Sequence, residues 1–202
     1  MAEPAKLVLI DGHALIYRAY FALPQEMSTS RGELTNAVYG FALMLLNVLR
    51  DERPDYLAVT LDVGRTFRHD AYPEYKANRA RMPDGLRVQF QRIDELLQAF
   101  AIPTYSAETF EADDVLAALA EQARAQGVEV LIVTGDTDTF QLINPHVRVI
   151  TSRRNFGDTI TYDEAGIRER YGLEPAQLID YKALIGDKSD NVPGVAGIGE
   201  KT

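Results

Sequence analysis

Short apolar runs rich in branched residues alternate along the chain with longer segments of helical periodicity. Three runs, Leu7 to Ile10, Tyr56 to Leu61 and Val128 to Val133, have the composition of buried strands and stop at turn residues. Strands that alternate with helices predict right-handed crossovers and a mostly parallel central sheet with helices on both faces. The expected fold class is therefore α/β.

Three segments between these strands have helical patterns. One helix is expected from an N-cap at Asn36 to about Arg50, and because it is apolar on nearly every side it is expected to be central. The apolar steps of three and four from Leu86 to Phe100 predict an amphipathic helix. Asp113 to Gln126 predicts another, which Gly127 ends.

Acidic residues are concentrated where a parallel sheet binds its ligands. Asp11, Asp62 and Asp136 follow the three predicted strands, and none has an obvious basic partner nearby in the sequence. Each acid alone could be a turn residue or a helix cap. Together they would repel one another and raise their pKa values. The complete candidate set is Asp11, Asp62, Glu111, Asp113, Asp114, Asp136, Asp138, Asp187 and Asp190.

Hard divalent cations would remove this repulsion. Mg²⁺ and Mn²⁺ prefer oxygen ligands and keep several waters, so many acids can hold them directly or through water. The chain has three histidines, which are far apart, and no cysteine, so zinc is not expected. Two such ions catalyse the attack of water on phosphodiesters. The acids therefore predict metal-dependent phosphate-ester hydrolysis.

The net charge of −9 first argues against a partner with a phosphate backbone. However, the nine candidate carboxylates account for the whole excess of acidic over basic residues. The remainder has the composition of a globular domain, without a membrane span or targeting segment. We expect a monomer in the cytoplasm that does not bind membranes.

A basic segment from Arg65 to Arg81 follows Asp62 and has aromatic residues between its charges. It lacks a clear apolar period, so we expect a mobile loop or short helices over the acidic site. Phosphates would bind its charges and bases would stack on its rings, as in single-strand binding.

Several motifs follow one another in a recognisable order. They are Leu9-Ile10-Asp11-Gly12-His13 with Tyr17-Arg18, Ser30-Arg31-Gly32 with Tyr39-Gly40-Phe41, FRHDAYPEYKANR over 67–79, Glu111-Ala112-Asp113-Asp114, Thr134-Gly135-Asp136-Thr137-Asp138, and GDKSDNVPGVAGIGEKT over 186–202. Over essentially its whole length the chain resembles the 5′-nuclease, or flap endonuclease, family. The likeness is strong to the amino-terminal 5′→3′ exonuclease domains of bacterial DNA polymerase I.

This resemblance implies a PIN-like fold and a two-metal 5′→3′ exonuclease or 5′-flap endonuclease that removes replication primers and acts in repair. It places Asp11, Asp62, Glu111, Asp113 and Asp114 around one metal position. It places Asp136, Asp138, Asp187 and Asp190 around the second. Lys76 and Arg79 would contact the scissile phosphate, so the implied catalytic residues are Lys76, Arg79, Asp11 and Asp136.

The resemblance also implies a DNA-binding set. A base next to the cut would stack on Tyr17, and a glycine turn near the carboxyl end would approach the downstream duplex, often together with K⁺. The partners implied are DNA with a 5′ flap, a nick or a 5′ end. The set comprises Tyr17, Arg18, Arg68, Tyr72, Tyr75, Lys76, Arg79, Gly197, Gly199 and Lys201.

The expected domain organisation is a catalytic domain over 1–185, with an arch at about 65–82, and the start of a helix-hairpin-helix over 186–202. Because the sequence stops inside this motif, we expect a truncated chain, and whether a polymerase module follows stays open. Thr137 stands where the family commonly has a lysine, which would weaken a charge pairing there.

Two alternatives remain at this point. The run Asp136-Thr137-Asp138-Thr139 imitates the nucleophile motif of haloacid-dehalogenase-type phosphatases, although that motif belongs at the first strand. The second alternative is a nucleic-acid-binding fragment that no longer turns over because its duplex-binding region is incomplete.

Overall fold

A six-stranded sheet forms the centre of the molecule. The computed structural model describes residues 4–152 and 158–201. The strands are β1 (Lys6–Asp11), β2 (Tyr56–Thr60), β3 (Thr104–Tyr105), β4 (Glu129–Val133), β5 (Val147–Ser152) and β6 (Thr159–Tyr162). Their order is β3-β2-β1-β4-β5-β6, and only β6 is antiparallel to its neighbour. The predicted mostly parallel α/β sheet is confirmed.

Seven α-helices within the described residues connect or follow the strands. They are α1 (Gly12–Ala22), α2 (Asn36–Glu52), α3 (Phe67–Ala71), α4 (Asp84–Ala99), α5 (Ala112–Ala125), α6 (Glu164–Tyr171) and α7 (Leu178–Ile185). A 3₁₀ helix over Thr137–Leu142 follows β4, and a second one over Pro175–Gln177 precedes α7. No helix of the described part of the chain is long and apolar enough to cross a membrane.

The side chains of the parallel strands alternate between two apolar layers. In β1, Val8 and Ile10 pack with α1, α2 and α4, while Leu9 packs with α5 and α6 on the other face. Leu131 and Ile132 of β4 divide in the same way. Both faces of the sheet are therefore covered by helices, as the sequence predicts.

The structure corrects two details of the helix expected from Asn36. Thr35, not Asn36, is the N-cap residue of α2. The Asn36 side chain is buried, and its polar atoms are paired there. Its amide donates a hydrogen bond to the carbonyl oxygen of Tyr20, and its oxygen accepts one from Gln89. The helix is not central, since Tyr39, Leu43 and Leu46 form an exposed stripe on it.

Two glycines, one next to Asp11 and one next to Asp187, allow the backbone to approach a neighbouring segment very closely. At Gly12 the backbone of α1 lies so close to β2 that a Cβ atom would be 2.9 Å from the carbonyl oxygen of Thr60. At Gly186, where α7 ends with φ +79°, a Cβ would be 2.5 Å from the carbonyl oxygen of Val192. These close approaches need glycine, and they lie directly next to Asp11 and Asp187 in the chain.

Candidate active site

Four aspartates form an inner group at the carboxyl edge of the sheet. Asp11 ends β1, Asp62 follows β2, Asp113 lies in the first turn of α5 and Asp136 follows β4. All four line one cavity of about 500 Å³. The topology therefore brings together residues that are up to 125 positions apart in the sequence.

Hydrogen bonds from the backbone and from Thr134 hold the inner group in place. Asp11 accepts one from the backbone N–H of Ala14 at 3.0 Å, and the Thr134 hydroxyl donates to its other oxygen at 2.7 Å. The same hydroxyl oxygen accepts a hydrogen bond from the backbone N–H of Asp136. Thr134 thus connects the ends of β1 and β4, a role that the sequence analysis did not assign to it.

Asp62 is oriented by its own neighbours. Its Oδ1 accepts a 2.6 Å hydrogen bond from the backbone N–H of Ala112, at the start of α5. Its backbone N–H donates to Nδ1 of His13, so this ring nitrogen carries no proton in that bond. His13, which entered the sequence analysis only as evidence against zinc, is therefore a second side chain that supports the inner group.

Burial and mutual repulsion raise the pKa values of Asp11, Asp113 and Asp136. Burial is the main cause for Asp113, and the charges of Asp11, Asp136 and Asp62 add to it, so that its pKa rises to about 8. Burial also raises the pKa values of Asp11 and Asp136. Among the described residues, no lysine or arginine forms an ion pair with any of these three. The inner group therefore carries negative charge that no lysine or arginine of the described residues neutralises.

The other five candidate carboxylates form an outer group, and each has a lysine or arginine partner. Arg68 binds Asp114 through two hydrogen bonds of 2.6 and 2.7 Å. Lys76 Nζ lies 2.7 Å from Glu111 Oε1, and Arg79 Nη2 lies 2.6 Å from Asp190 Oδ1. Arg68 and Asp114 stabilise each other's charged forms, which raises the pKa of Arg68 and lowers that of Asp114.

Lys182 completes this charge pairing, and the sequence analysis did not identify it. Its ammonium group donates hydrogen bonds to Asp138 and, at 2.9 Å, to Asp187. Asp187 also accepts hydrogen bonds from Ser189, and although burial opposes ionisation these contacts hold its pKa at about 2. Lys182 lies on α7, four residues before Gly186, where that helix ends. The packing of α7 brings the Lys182 ammonium group to Asp138, so Lys182 supplies the positive charge that Thr137 lacks.

The arch lies directly on the acidic site. It contains α3, whose five residues include Arg68, followed by turns that extend to Arg79. Tyr75 is buried, and its hydroxyl oxygen lies 2.9 Å from Glu111 Oε2 and 2.8 Å from Asp190 Oδ2. Burial and these two carboxylates raise the pKa of Tyr75. The hydroxyl has a single proton, which it can donate to one of these carboxylates at a time, and it lies between Glu111 and Asp190.

The predicted DNA contacts are divided between the cavity and more distant surfaces. Tyr17, Lys76 and Arg79 line the cavity, whereas Arg68 and Tyr75 are engaged by carboxylates. Tyr72 is exposed, and its hydroxyl donates to the backbone of Asn191. Arg18 lies on α1, and Gly197, Gly199 and Lys201 lie in exposed turns beyond α7.

The donor set suits hard divalent cations. The inner group offers carboxylate oxygens with no competing cation, and Mg²⁺ or Mn²⁺ would bind such oxygens with their waters. Among the described residues, no group of three or more acidic, histidine or cysteine side chains already stands in an arrangement that could hold a metal ion. Metal binding would therefore require the carboxylate side chains to rearrange.

Comparison with known proteins gives this geometry a context. Residues 6–172 match the family description "5′-3′ exonuclease, N-terminal resolvase-like domain", and residues 173–202 match "5′-3′ exonuclease, C-terminal SAM fold". The chain belongs to the 5′-3′ exonuclease family. This membership decides against the phosphatase alternative. The two matches meet at residue 172, and the predicted division at residue 185 stays a prediction.

Curated relatives in this exonuclease family are bacterial DNA polymerases. The chain is 56% identical over 205 residues to "DNA polymerase I" of Chloroflexus aurantiacus and 47% identical over 203 residues to that of Bacillus subtilis. All of the chain is covered in both comparisons, but it spans only 22% and 23% of the two relatives.

Solved structures of nucleases share the fold. A phage T5 5′-exonuclease with bound zinc has a TM-score of 0.77 at 24% identity, covering 97% of this chain and 72% of that one. Human GEN1 in complex with Holliday junction DNA has a TM-score of 0.60 at 16% identity, covering 98% of this chain and 48% of that one. The overall fold is thus shared with both solved structures at low sequence identity.

Proposed function

We propose that this chain hydrolyses DNA phosphodiesters as a divalent-metal-dependent 5′→3′ exonuclease and structure-specific 5′-flap endonuclease. The observation that carries the proposal is a single cavity lined both by the four inner aspartates and by Lys76 and Arg79. The carboxylates would bind metal ions and the two basic side chains would bind phosphate, so both would act on the same phosphodiester bond.

The inner group, together with Glu111, would hold Mg²⁺ or Mn²⁺. When such ions are bound, the chemistry they supply is the activation of water for in-line attack and the neutralisation of charge on the leaving oxygen. Thr134 and the backbone N–H groups of Ala14 and Ala112 hold the carboxylate oxygens in position for this role. Asp114, which is paired with Arg68, would lie beside this first position. Asp136 would also face a second position, whose other proposed ligands are Asp138, Asp187 and Asp190, and Lys182 already balances part of the charge there.

Lys76 and Arg79 would hold the scissile phosphate. Both now contact carboxylates, Glu111 and Asp190, so they are held within the cavity by charges that a phosphate can replace. Guanidinium and ammonium groups at this position would stabilise the negative charge that develops on the phosphate oxygens. Tyr17, on the same cavity wall, would stack on a base next to the cut.

The remaining predicted contacts would position the rest of the substrate. The backbone at Gly197, where φ is +85°, and at Gly199 has open space where a side chain would project, which suits close approach to duplex phosphates and to K⁺. The proposed substrates are DNA with a 5′ flap, a nick or a 5′ end. By analogy with relatives named DNA polymerase I, we propose a role in primer removal and repair beside a polymerase module, as a cytoplasmic monomer.

Labelled 5′-flap, nicked and single-stranded DNA, incubated with the chain in EDTA, Mg²⁺ or Mn²⁺, test the proposal. We expect metal-dependent products that begin at the 5′ end or at the flap junction. Lys76→Ala should reduce the cleavage rate by about 10²–10³-fold because it removes a cation that stabilises transition-state charge. Mn²⁺ binding, measured by calorimetry, should persist in this variant.

Arg50→Ala is the matched control, because Arg50 is exposed on α2 and its ion pair within the described residues is with Asp51 alone. It should leave cleavage unchanged. DNA binding without any cleavage in either metal would favour the non-catalytic alternative and overturn the catalytic proposal. Wild-type cleavage rates in Lys76→Ala would remove Lys76 from the mechanism.

A further inference from the structure

The aromatic ring of Phe21 is exposed on the wall of the active-site cavity. It lies near the end of α1, four residues after Tyr17, and is 61% exposed. An exposed phenyl ring leaves much apolar surface in contact with water, which is unfavourable unless a ligand covers it. The sequence analysis and the family motifs assign no role to this residue.

Neighbouring rings hold Phe21 in place. Its centroid is 5.1 Å from that of Tyr20 in an edge-to-face arrangement, and Tyr20 is almost fully buried. Its centroid is 6.3 Å from that of Tyr17, with a tilt of 38° between the two planes. Because a buried ring supports it, Phe21 offers a preformed apolar surface at little cost in side-chain entropy.

The surroundings of Phe21 have the charge that a nucleic-acid strand needs. Lys76, Arg79 and Arg81 line the same cavity as Phe21. A strand whose phosphates contact these cations would bring its bases within reach of the two rings. Alternation of basic groups with aromatic surfaces is how single strands are bound with little dependence on sequence.

We propose that Phe21 is a second base-stacking residue, which receives the nucleotide adjacent to the one on Tyr17. The inference rests on the proposed function, because it takes DNA as the ligand. Bases stacked within a strand are about 3.4 Å apart, so two neighbouring bases cannot stack on each other and also lie on rings 6.3 Å apart and tilted. The pair of rings therefore selects an unpaired, unstacked segment over a continuous duplex.

Binding of 2-aminopurine-labelled DNA in EDTA, where no strand should be cut, tests this role. The label is placed in turn at each nucleotide of an unpaired 5′ arm. For the wild-type chain we expect quenching at two adjacent positions. Phe21→Ala and Phe21→Leu should lose quenching at one of them and weaken binding of the arm by about 5- to 100-fold, while Phe21→Trp retains both. Binding of a blunt duplex should change little.

Phe100→Ala is the matched control, because Phe100 is also exposed, at 47%, but lies at the end of α4 close to where β3 begins. It should bind and quench like the wild type. Quenching at both positions in Phe21→Ala, with unchanged affinity, would overturn the stacking role while leaving the nuclease proposal intact. Failure of the wild-type chain both to bind labelled DNA in EDTA and to cleave it in Mg²⁺ would instead overturn the proposed function, and this inference with it.

Discussion

The inner and outer carboxylates lie side by side but differ in how their charge is balanced. In the inner group, Asp11, Asp113 and Asp136 have raised pKa values and form no ion pair with a lysine or arginine of the described residues. In the outer group, Arg68, Lys76, Arg79 and Lys182 neutralise the acids, and the pKa values of Asp114 and Asp187 are lowered.

This difference separates two tasks within one acidic cluster. Inner oxygens with no protein cation are available to an external one, and binding a cation would relieve their repulsion. Outer oxygens hold the arch and α7 in place through ion pairs. The number of acids alone therefore overstates the charge that external cations must balance.

The largest expected effect is that of Asp113→Asn on the metal-free protein. Asparagine keeps the shape but removes a carboxyl group that is costly to ionise, so stability at pH 7 should increase by about 1–4 kcal/mol. This corresponds to a melting temperature roughly 3–10 °C higher. Mg²⁺ should stabilise the wild type and the variant unequally, with the smaller gain in the variant. Thermal unfolding in EDTA and in Mg²⁺ measures both, and equal gains would contradict an inner metal site.

Lys182→Met should have an intermediate effect in the opposite direction. Its removal leaves Asp138 and Asp187 facing each other without a cation, which we expect to cost about 1–2 kcal/mol because the pair is only partly buried. Mg²⁺ should restore part of this loss, and Lys182→Arg should preserve most of the stability. Chemical denaturation provides the measurement, and an unchanged midpoint in Lys182→Met would show that Lys182 does not balance the outer group.

The smallest expected effect is a pH-dependent one at Asp187. Its folded-state pKa of about 2 is below the ordinary 3.8, so its ionised form contributes stability above about pH 4 that is lost as the pH falls through 2. Asp187→Asn should therefore cost about 0.5–1 kcal/mol at pH 7 and nothing near pH 2.

The inner group should show the reverse dependence. The pKa of Asp113 is raised from 3.8 to about 8. The stability that its protonated form contributes is therefore present below pH 3.8 and is lost as the pH rises through 8. The advantage of Asp113→Asn in EDTA should accordingly grow between about pH 4 and pH 8. Denaturation curves of the two variants across pH should diverge in opposite directions, and parallel curves would refute the distinction between the groups.

Several features of the site could be predicted from local pattern. Apolar runs that stop at acidic residues mark strand ends, and parallel strands bring their carboxyl ends to one edge, so Asp11, Asp62 and Asp136 of the inner group follow from strand periodicity. The Thr35 cap of α2 was missed because Asn36 has the cap chemistry one position later, while its amide is needed by Tyr20 and Gln89. The sequence analysis does not predict β3, which has two residues, both exposed. It also does not predict α1, although Leu15, Ile16 and Ala19 lie on the buried face of that helix.

The sequence by itself determined the α/β class, the order of the acidic motifs and the basic character of the arch, because these depend on residue type and on spacing along one element. Only the tertiary structure decided which acids have counter-ions. Asp138 and Lys182 are 44 positions apart, and Arg68 and Asp114 are 46 apart. Their pairing depends on how α7 and the arch pack against the sheet edge. Since charge interactions depend on distance in space, the division into inner and outer groups appears only when the chain is folded.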